Sequence, residues 1–340
     1  VVSVAEHTGI EWCDATFNPW WGCERVSPAC AHCYADTLAH RFGFYSINGE
    51  GGLWGDGHSF RFFGDKHWQE PLKWARLLPA KLGRRPRVFC ASMADVFEER
   101  PELEEPRRRL FRLIEATRDL DWLVLTKRPE FARDWLFRFD AELAQSTLVT
   151  RDDDHFGWGC PPNLWLGVSI ENARFTRRAD VLREIPAAVR FISAEPLLGS
   201  LFETRLRDLP ADPTSAIPVK EYIRKPLDPA GIDWLIAGGE SGPRARPSHP
   251  DWFRELRDAC SSQGTAFLFK QWGEWAPLFE TDDREAMSQA VAAHSHHHPA
   301  TRRRMFGDAL LERRGKRASG RELDGRTWDQ FPASWASVVA

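Results

Sequence analysis

Six short apolar runs alternate with amphipathic stretches along most of the chain, and that alternation restricts its fold more than any other feature. The runs are 87–91 (RVFCA), 122–126 (WLVLT), 164–169 (LWLGVS), 189–193 (VRFIS), 234–237 (WLIA) and 266–269 (AFLF). Each is nearly continuous in apolarity and rich in β-branched or aromatic residues, as expected of parallel strands covered on both faces. Segments 101–120, 130–145, 174–185 and 250–263 carry helical spacing instead, such as Leu110, Leu113, Ile114 and Thr117. The order reads as successive βα units.

The exits from these runs predict where a site lies. Five open into SMAD (Ser92, Asp95), KRP (Lys127, Arg128), IEN (Glu171), AEP (Glu195) and GGESG (Gly238, Gly239, Glu240), and the sixth continues into Lys270 and Gln271. Ser169 and Ser193 close their own runs. Parallel barrels and open α/β sheets both build their sites at the carboxyl ends of strands. Six polar or Gly-rich ends therefore predict one common polar site.

At 340 residues the chain suits one barrel with appendages as well as two domains. Periodicity weakens from Ala276, so the expected division is a barrel over 1–275 and a partly basic extension over 276–340. The net charge of −3 excludes a globally basic coat, yet 301–326 holds nine Lys/Arg against four Asp/Glu. No apolar run reaches membrane-span length and no charged-then-apolar leader opens the sequence, so the expectation is a cytoplasmic protein with no membrane partner. Segments 151–162 and 208–231 read as long connections, and His294, His296, His297 and His298 as a solvated loop. Sixteen Trp against three Tyr supply large rigid surfaces without naming a ligand.

Seven cysteines, an odd number, argue against a disulfide framework. Cys90 and Cys160 read as core residues, Cys260 as helical, and Cys13 has no assignable place. The other three, Cys23, Cys30 and Cys33, fall within eleven residues. Clustered thiolates favour zinc or an iron-sulfur cluster. Structural zinc requires a fourth ligand, for which His32 is nearest, whereas an iron-sulfur cluster can keep its fourth iron open. A zinc module has no need of six further polar strand ends.

The blocks IEWCDATFNPWWGC, SPACAHCYAD, DVFE, LTKRPE, NLWLGVSIEN, FISAEPLLGS, WLIAGGESGPRARP, FLFKQWGEW and GRELDGRTWDQFP cover nearly the whole chain. On them the sequence resembles the radical S-adenosylmethionine (radical SAM) superfamily, most closely a phage-associated family with a C-x6-C-x2-C motif, and is distantly similar to spore photoproduct lyase. Six residues separate Cys23 from Cys30, wider than the common superfamily motif, and His32 stands where an aromatic is usual, with Tyr34 just beyond Cys33. The resemblance implies an α/β fold, a partial (β/α)6 TIM-like barrel with a C-terminal extension. It implies a 4Fe-4S cluster on Cys23, Cys30 and Cys33, with S-adenosylmethionine chelating the open iron. An electron from a flavodoxin or ferredoxin type donor then yields a 5′-deoxyadenosyl radical that abstracts hydrogen from substrate.

By the same resemblance, Ser92 and Asp95 would support the methionine amino group, and Ser169, Glu171, Ser193 and Glu195 the carboxylate and ribose hydroxyls. Gly238 and Gly239 would admit the adenosyl group, while Lys127, Arg128, Glu240 and Lys270 address cofactor carboxylate or substrate. The basic segment and the lyase similarity favour a nucleobase, nucleotide or nucleic acid as substrate. A peptide or small metabolite is the second possibility, and a zinc-stabilised nucleic-acid-binding protein without catalysis is the alternative of a different class.

Overall fold

The computed structural model describes residues 8–44, 52–55, 57–145, 160–203, 226–280, 285–289 and 303–332. The chain enters through β1 (Ala15–Thr16), then β2 (Trp20–Trp21), helix α1 (Tyr34–Arg41) and β3 (Arg61–Phe62), and reaches β4 (Arg87–Cys90) by way of α2 (Asp65–Trp68) and α3 (Glu70–Leu82). Five further strands follow, four of them reached through a helix among the described residues: α4 (Glu104–Ala116), β5 (Asp121–Thr126), α5 (Pro129–Gln145), β6 (Leu164–Ser169), α6 (Arg177–Arg183), β7 (Val189–Ala194), β8 (Trp234–Gly238), α7 (Pro250–Gln263) and β9 (Ala266–Gln271). All six expected strands form, and β9 extends through Lys270 and Gln271. The alternating repeat holds because α4 carries Glu104 and Glu105 in its first turn, favourable to the helix dipole, and α7 is stopped by Gly264 at φ 72°.

These strands make one parallel sheet in the order β1-β4-β5-β6-β7-β8-β9. The sheet curls into a half-barrel in which β1 and β9 do not pair with each other, so the α/β partial barrel expected from the sequence is the observed architecture. Side chains alternate across it with period two. Val88, Cys90, Trp122, Val124, Leu166, Ile192, Leu235 and Phe267 face the helices in the larger core layer. Phe89, Leu123, Trp165, Phe191, Trp234, Ile236 and Leu268 face inward with Trp12 and Cys13. There Trp12 meets Phe89 edge-on at 4.6 Å and Trp234 at 6.2 Å, and Trp165 meets Trp234 at 6.1 Å. Part of the tryptophan excess is thus the packed floor of the barrel, and Gly167 leaves the room that the Phe191 ring occupies.

The expected weakening of pattern after Ala276 corresponds to a three-stranded antiparallel sheet, order β10-β12-β11, from β10 (Trp275–Glu280), β11 (Arg303–Phe306) and β12 (Ala309–Arg313). The chain then returns to the barrel. Phe269 N–H donates to Trp328 O at 2.9 Å and Gln330 N–H to Phe267 O at 3.1 Å, which covers the open edge of β9. Phe331 packs on Trp234 at 5.1 Å beneath the floor, with the Arg87 guanidinium over it at 4.0 Å. Among the described residues no helix is long and apolar enough to cross a membrane. Most of segments 151–162 and 208–231, and the histidine run at 294–298, lie outside the described residues.

Candidate active site

The inward-facing alternation that fills the floor with aromatics continues upward into polar residues. Lys127, Ser169, Ser193 and Lys270 follow Leu125, Gly167, Phe191 and Leu268 on the same face, and all four line a cavity of about 470 Å³ at the carboxyl ends of the strands. Ser92, Asp95, Arg128, Glu195, Gly239 and Glu240 also line it, Trp12 and Phe89 form its base, and Cys23, Cys30 and Cys33 its other wall. The structure thus brings together every candidate named from the sequence except two. Glu171 is fully buried outside the cavity, 3.1 Å from Arg178, which also holds the Ser169 carbonyl at 2.8 Å. Gly238 does not line the cavity, and a Cβ there would stand 2.6 Å from Glu195 Oε1.

The cysteine segment is fixed by its backbone. Gly22 turns it at φ 125°, where a Cβ would meet Ser59 O at 2.8 Å, so only glycine fits both torsion and space. Cys23 N–H donates to Leu53 O at 3.0 Å, Gly55 N–H to Cys23 O at 3.3 Å, and Glu24 N–H to Glu98 Oε2 at 3.0 Å. Cys30 sits in a 3-10 turn, Pro28–His32, and Cys33 caps α1, its carbonyl accepting from Thr37 N–H and Oγ1. These three cysteines are partly exposed, whereas Cys13, Cys90, Cys160 and Cys260 are buried. Burial pushes the Cys13 thiol up to about 12, consistent with an inert packing role in the floor. Among the described residues the only three ligand-type atoms gathered within 4.8 Å belong to His249, Asp251 and Asp308. Cys23, Cys30 and Cys33 do not form such a group, so at least one pair of their sulfurs stands more than 4.8 Å apart.

Charge in the cavity is largely paired. Asp95 accepts from Phe97 N–H at 3.0 Å, Thr126 Oγ1 at 2.7 Å and Lys127 N–H at 2.9 Å, with Arg128 Nη1 at 3.0 Å. Burial alone would raise this carboxyl; Arg128 and the three hydrogen bonds overcome that and hold it below the ordinary carboxylate range. Lys270 Nζ pairs with Glu195 Oε1 at 3.1 Å. Glu240 is buried, yet Arg246, through both carboxylate oxygens, and His32 Nδ1 at 3.2 Å keep it below its ordinary value. Arg246 also donates to Pro28 O at 3.0 Å, tying the cysteine segment to the end of β8. Lys127 Nζ has only Ser169 Oγ, at 3.3 Å, among the described residues. For Cys23, burial pushes the thiol up while Arg128 pulls against it.

Several residues escaped the sequence reading. Glu98 and His58, both buried and 3.1 Å apart, support the Cys23 segment, and Arg107 N–H groups fix the Val96 and Glu98 carbonyls at 2.8 and 2.6 Å. Glu98 lies in the DVFE block, but nothing local marks it as a support for Cys23. Gly239 faces the cavity, yet its missing side chain is required elsewhere too, since a Cβ would fall 1.9 Å from Trp272 O. The basic tail is largely committed to the fold. Arg303 and Arg314 pair with Glu312, Arg313 with Glu274, Arg321 with Asp329, and Arg326 lies 3.6 Å over Trp328. Among the described residues of the tail, exposed Lys316 reaches the cavity.

Fold and site together define an α/β half-barrel whose mouth is walled by three cysteines. The chain belongs to a family described as a protein of unknown function (DUF5131), whose model matches residues 7–332. No curated protein matches the sequence. Two solved structures of spore photoproduct lyase variants are similar to it at 10% identity, with TM-scores of 0.40 and 0.36. Each comparison covers 92% of this chain, and 72% and 73% of the respective lyase chains.

Proposed function

We propose that the protein is a radical SAM enzyme in which Cys23, Cys30 and Cys33 hold a 4Fe-4S cluster beside bound S-adenosylmethionine. The observation that carries this reading is the convergence of three partly exposed cysteines and the polar strand ends on one cavity of about 470 Å³. The donor set suits the cluster: three soft thiolates leave one of its irons free for an exogenous ligand. When bound, the cluster and S-adenosylmethionine supply a 5′-deoxyadenosyl radical on one-electron reduction by a flavodoxin or ferredoxin type donor.

The chain's own residues bind, orient and exclude water. Lys127, whose charge meets no carboxylate among the described residues, offers an ion pair to the ligand's carboxylate. Ser92, Ser169, Ser193 and Glu195 present hydroxyl and carboxylate oxygens to its amino and ribose groups, and Gly239 a bare backbone. Asp95 and Glu240 act by holding Arg128 and the cysteine segment. We assign the substrate to the nucleobase, nucleotide or nucleic acid class, on the sequence resemblance and the exposed cation of Lys316 at the mouth, which meets no carboxylate among the described residues.

One contact favours the zinc alternative: His32 presents Nδ1 to Glu240, as a metal-bound imidazole often does to a carboxylate. Anaerobic reconstitution separates the readings. The expected result is iron with acid-labile sulfide, lost in Cys30→Ala, and 5′-deoxyadenosine formed from S-adenosylmethionine and dithionite. Stoichiometric zinc without iron overturns the proposal. Deuterium transfer into added DNA, RNA or nucleotides tests the substrate class.

A further inference from the structure

The three cysteines do not sit in equivalent surroundings. Arg128 Nη1 lies 4.0 Å from Cys23 Sγ and its Nη2 3.3 Å from Glu24 O, so one guanidinium spans the sulfur and the next carbonyl. Cys30 Sγ has instead the neutral Ser27 hydroxyl at 3.7 Å. Arg128 cannot swing away to serve a substrate. Asp95 Oδ2 grips Nη1 at 3.0 Å, Glu98 Oε2 stands 3.7 Å from Nη2, and the side chain is 13% exposed. Its own N–H is bound to Thr126 Oγ1 at 2.9 Å. Both acids are themselves fixed, Asp95 by its three further donors and Glu98 by Glu24 N–H and His58.

We propose that Arg128 is a positioning residue for the Cys23 ligand, holding that sulfur in place and setting the reduction potential of the bound cluster. The inference rests on the radical SAM reading above. It replaces the expectation that Arg128 addresses cofactor carboxylate or substrate, a role left to the adjacent Lys127. Hydrogen bonds and nearby charge are established determinants of iron-sulfur potentials. One electron from a flavodoxin or ferredoxin makes the cluster one unit more negative without proton transfer. A fixed cation against one thiolate favours that reduced state, opposed by Asp95, Glu98 and the Glu24 carboxylate, whose Oε2 stands 3.9 Å from Nη2.

The test compares anaerobically reconstituted wild type, Arg128→Gln, Arg128→Lys and Glu98→Gln in the full chain. Iron and sulfide content, the electron paramagnetic resonance spectrum of the reduced cluster and a potentiometric titration are recorded for each. Arg128→Gln is expected to bind the cluster but to be harder to reduce, its oxidised-to-reduced ratio at fixed poise rising by about tenfold. Glu98→Gln, which keeps an acceptor for Glu24 N–H, is expected to move the ratio the opposite way. A fully loaded Arg128→Gln cluster with wild-type potential and spectrum overturns the inference and leaves the radical SAM reading standing. Wild type that takes up no iron-sulfur cluster overturns both. If Arg128→Gln is recovered without cluster, Arg128→Lys decides: its ammonium cannot span both Cys23 Sγ and Glu24 O, so an intermediate potential supports the role and an unchanged one overturns it.

Discussion

Replacing Asp95 with Asn removes one charge and inserts a donor where only acceptors fit. Oδ1 faces Thr126 Oγ1 and Phe97 N–H, while Oδ2 faces Lys127 N–H and Arg128. Either orientation of the amide sets its N–H₂ against donors and leaves the Arg128 guanidinium without its nearest counter-charge. Breaking one side of a buried ion pair costs about 3 to 5 kcal/mol. At the low end, with an unfolding entropy of about 2.1 cal/mol/K per residue, the loss is about 4 °C in melting temperature for a chain of this size. The pH dependence has a definite sign. The Asp95 carboxyl lies below its ordinary value when folded, so its stabilisation is present above the unfolded value and lost as pH falls through the folded one. Differential scanning fluorimetry of both proteins should show a constant gap near neutrality that narrows below about pH 4. A gap under 1 °C at neutral pH, or one that persists into acid, would refute the assignment of Asp95 as an ionised hub.

Two further substitutions probe how the fold supports the mouth. Gly239→Ala places a Cβ 1.9 Å from the Trp272 carbonyl, a backbone atom that no rotamer change can move. It should cost more than the roughly 1 to 3 kcal/mol of ordinary overpacking and lower ligand uptake together with stability, read by urea unfolding and cluster content. Truncation after Arg326 removes the residues paired with β9 and the Phe331 ring beneath Trp234. The uncovered edge should associate at rising concentration, and size-exclusion chromatography with light scattering that shows no change would count against the capping role.

The sheet was legible because each of its six long strands is an apolar run with its own signal. β1 was not, since two residues carry no period, and its strand character comes from pairing Ala15 with Val88 and Thr16 with Phe89. The extension escaped for a related reason. β10, β11 and β12 lack a clean alternation, and their pairing depends on contacts distant in sequence. At the site, residue type and strand-end position sufficed to bring Lys127, Ser169, Ser193, Glu195 and Lys270 into one cavity. They could not separate residues that face a ligand from residues that hold others. Glu171 shares the polar exit of β6 with Ser169, yet it turns to Arg178 behind the sheet. That distinction depends on partners supplied by other elements, and no local pattern encodes it.

Pairing also decides what the cavity can recognise. Arg128 is matched by Asp95, Lys270 by Glu195 and Arg246 by Glu240, so these charges are fixed and largely cancel. Of the lining residues, Lys127 at the end of β5 and Lys316 in the extension are lysines with no carboxylate partner among the described residues. On the proposed reading the two divide the work by depth. Lys127, on the inward face and bonded to Ser169, meets the single carboxylate of a small zwitterion, where low dielectric makes one charge count. Lys316 is exposed and screened, suited to a phosphate of a larger substrate whose reacting carbon alone enters. The aromatic floor gives neither ligand further depth. Trp12 and Phe89 close the barrel directly below, so a reacting group must approach from the mouth, past the cysteine wall.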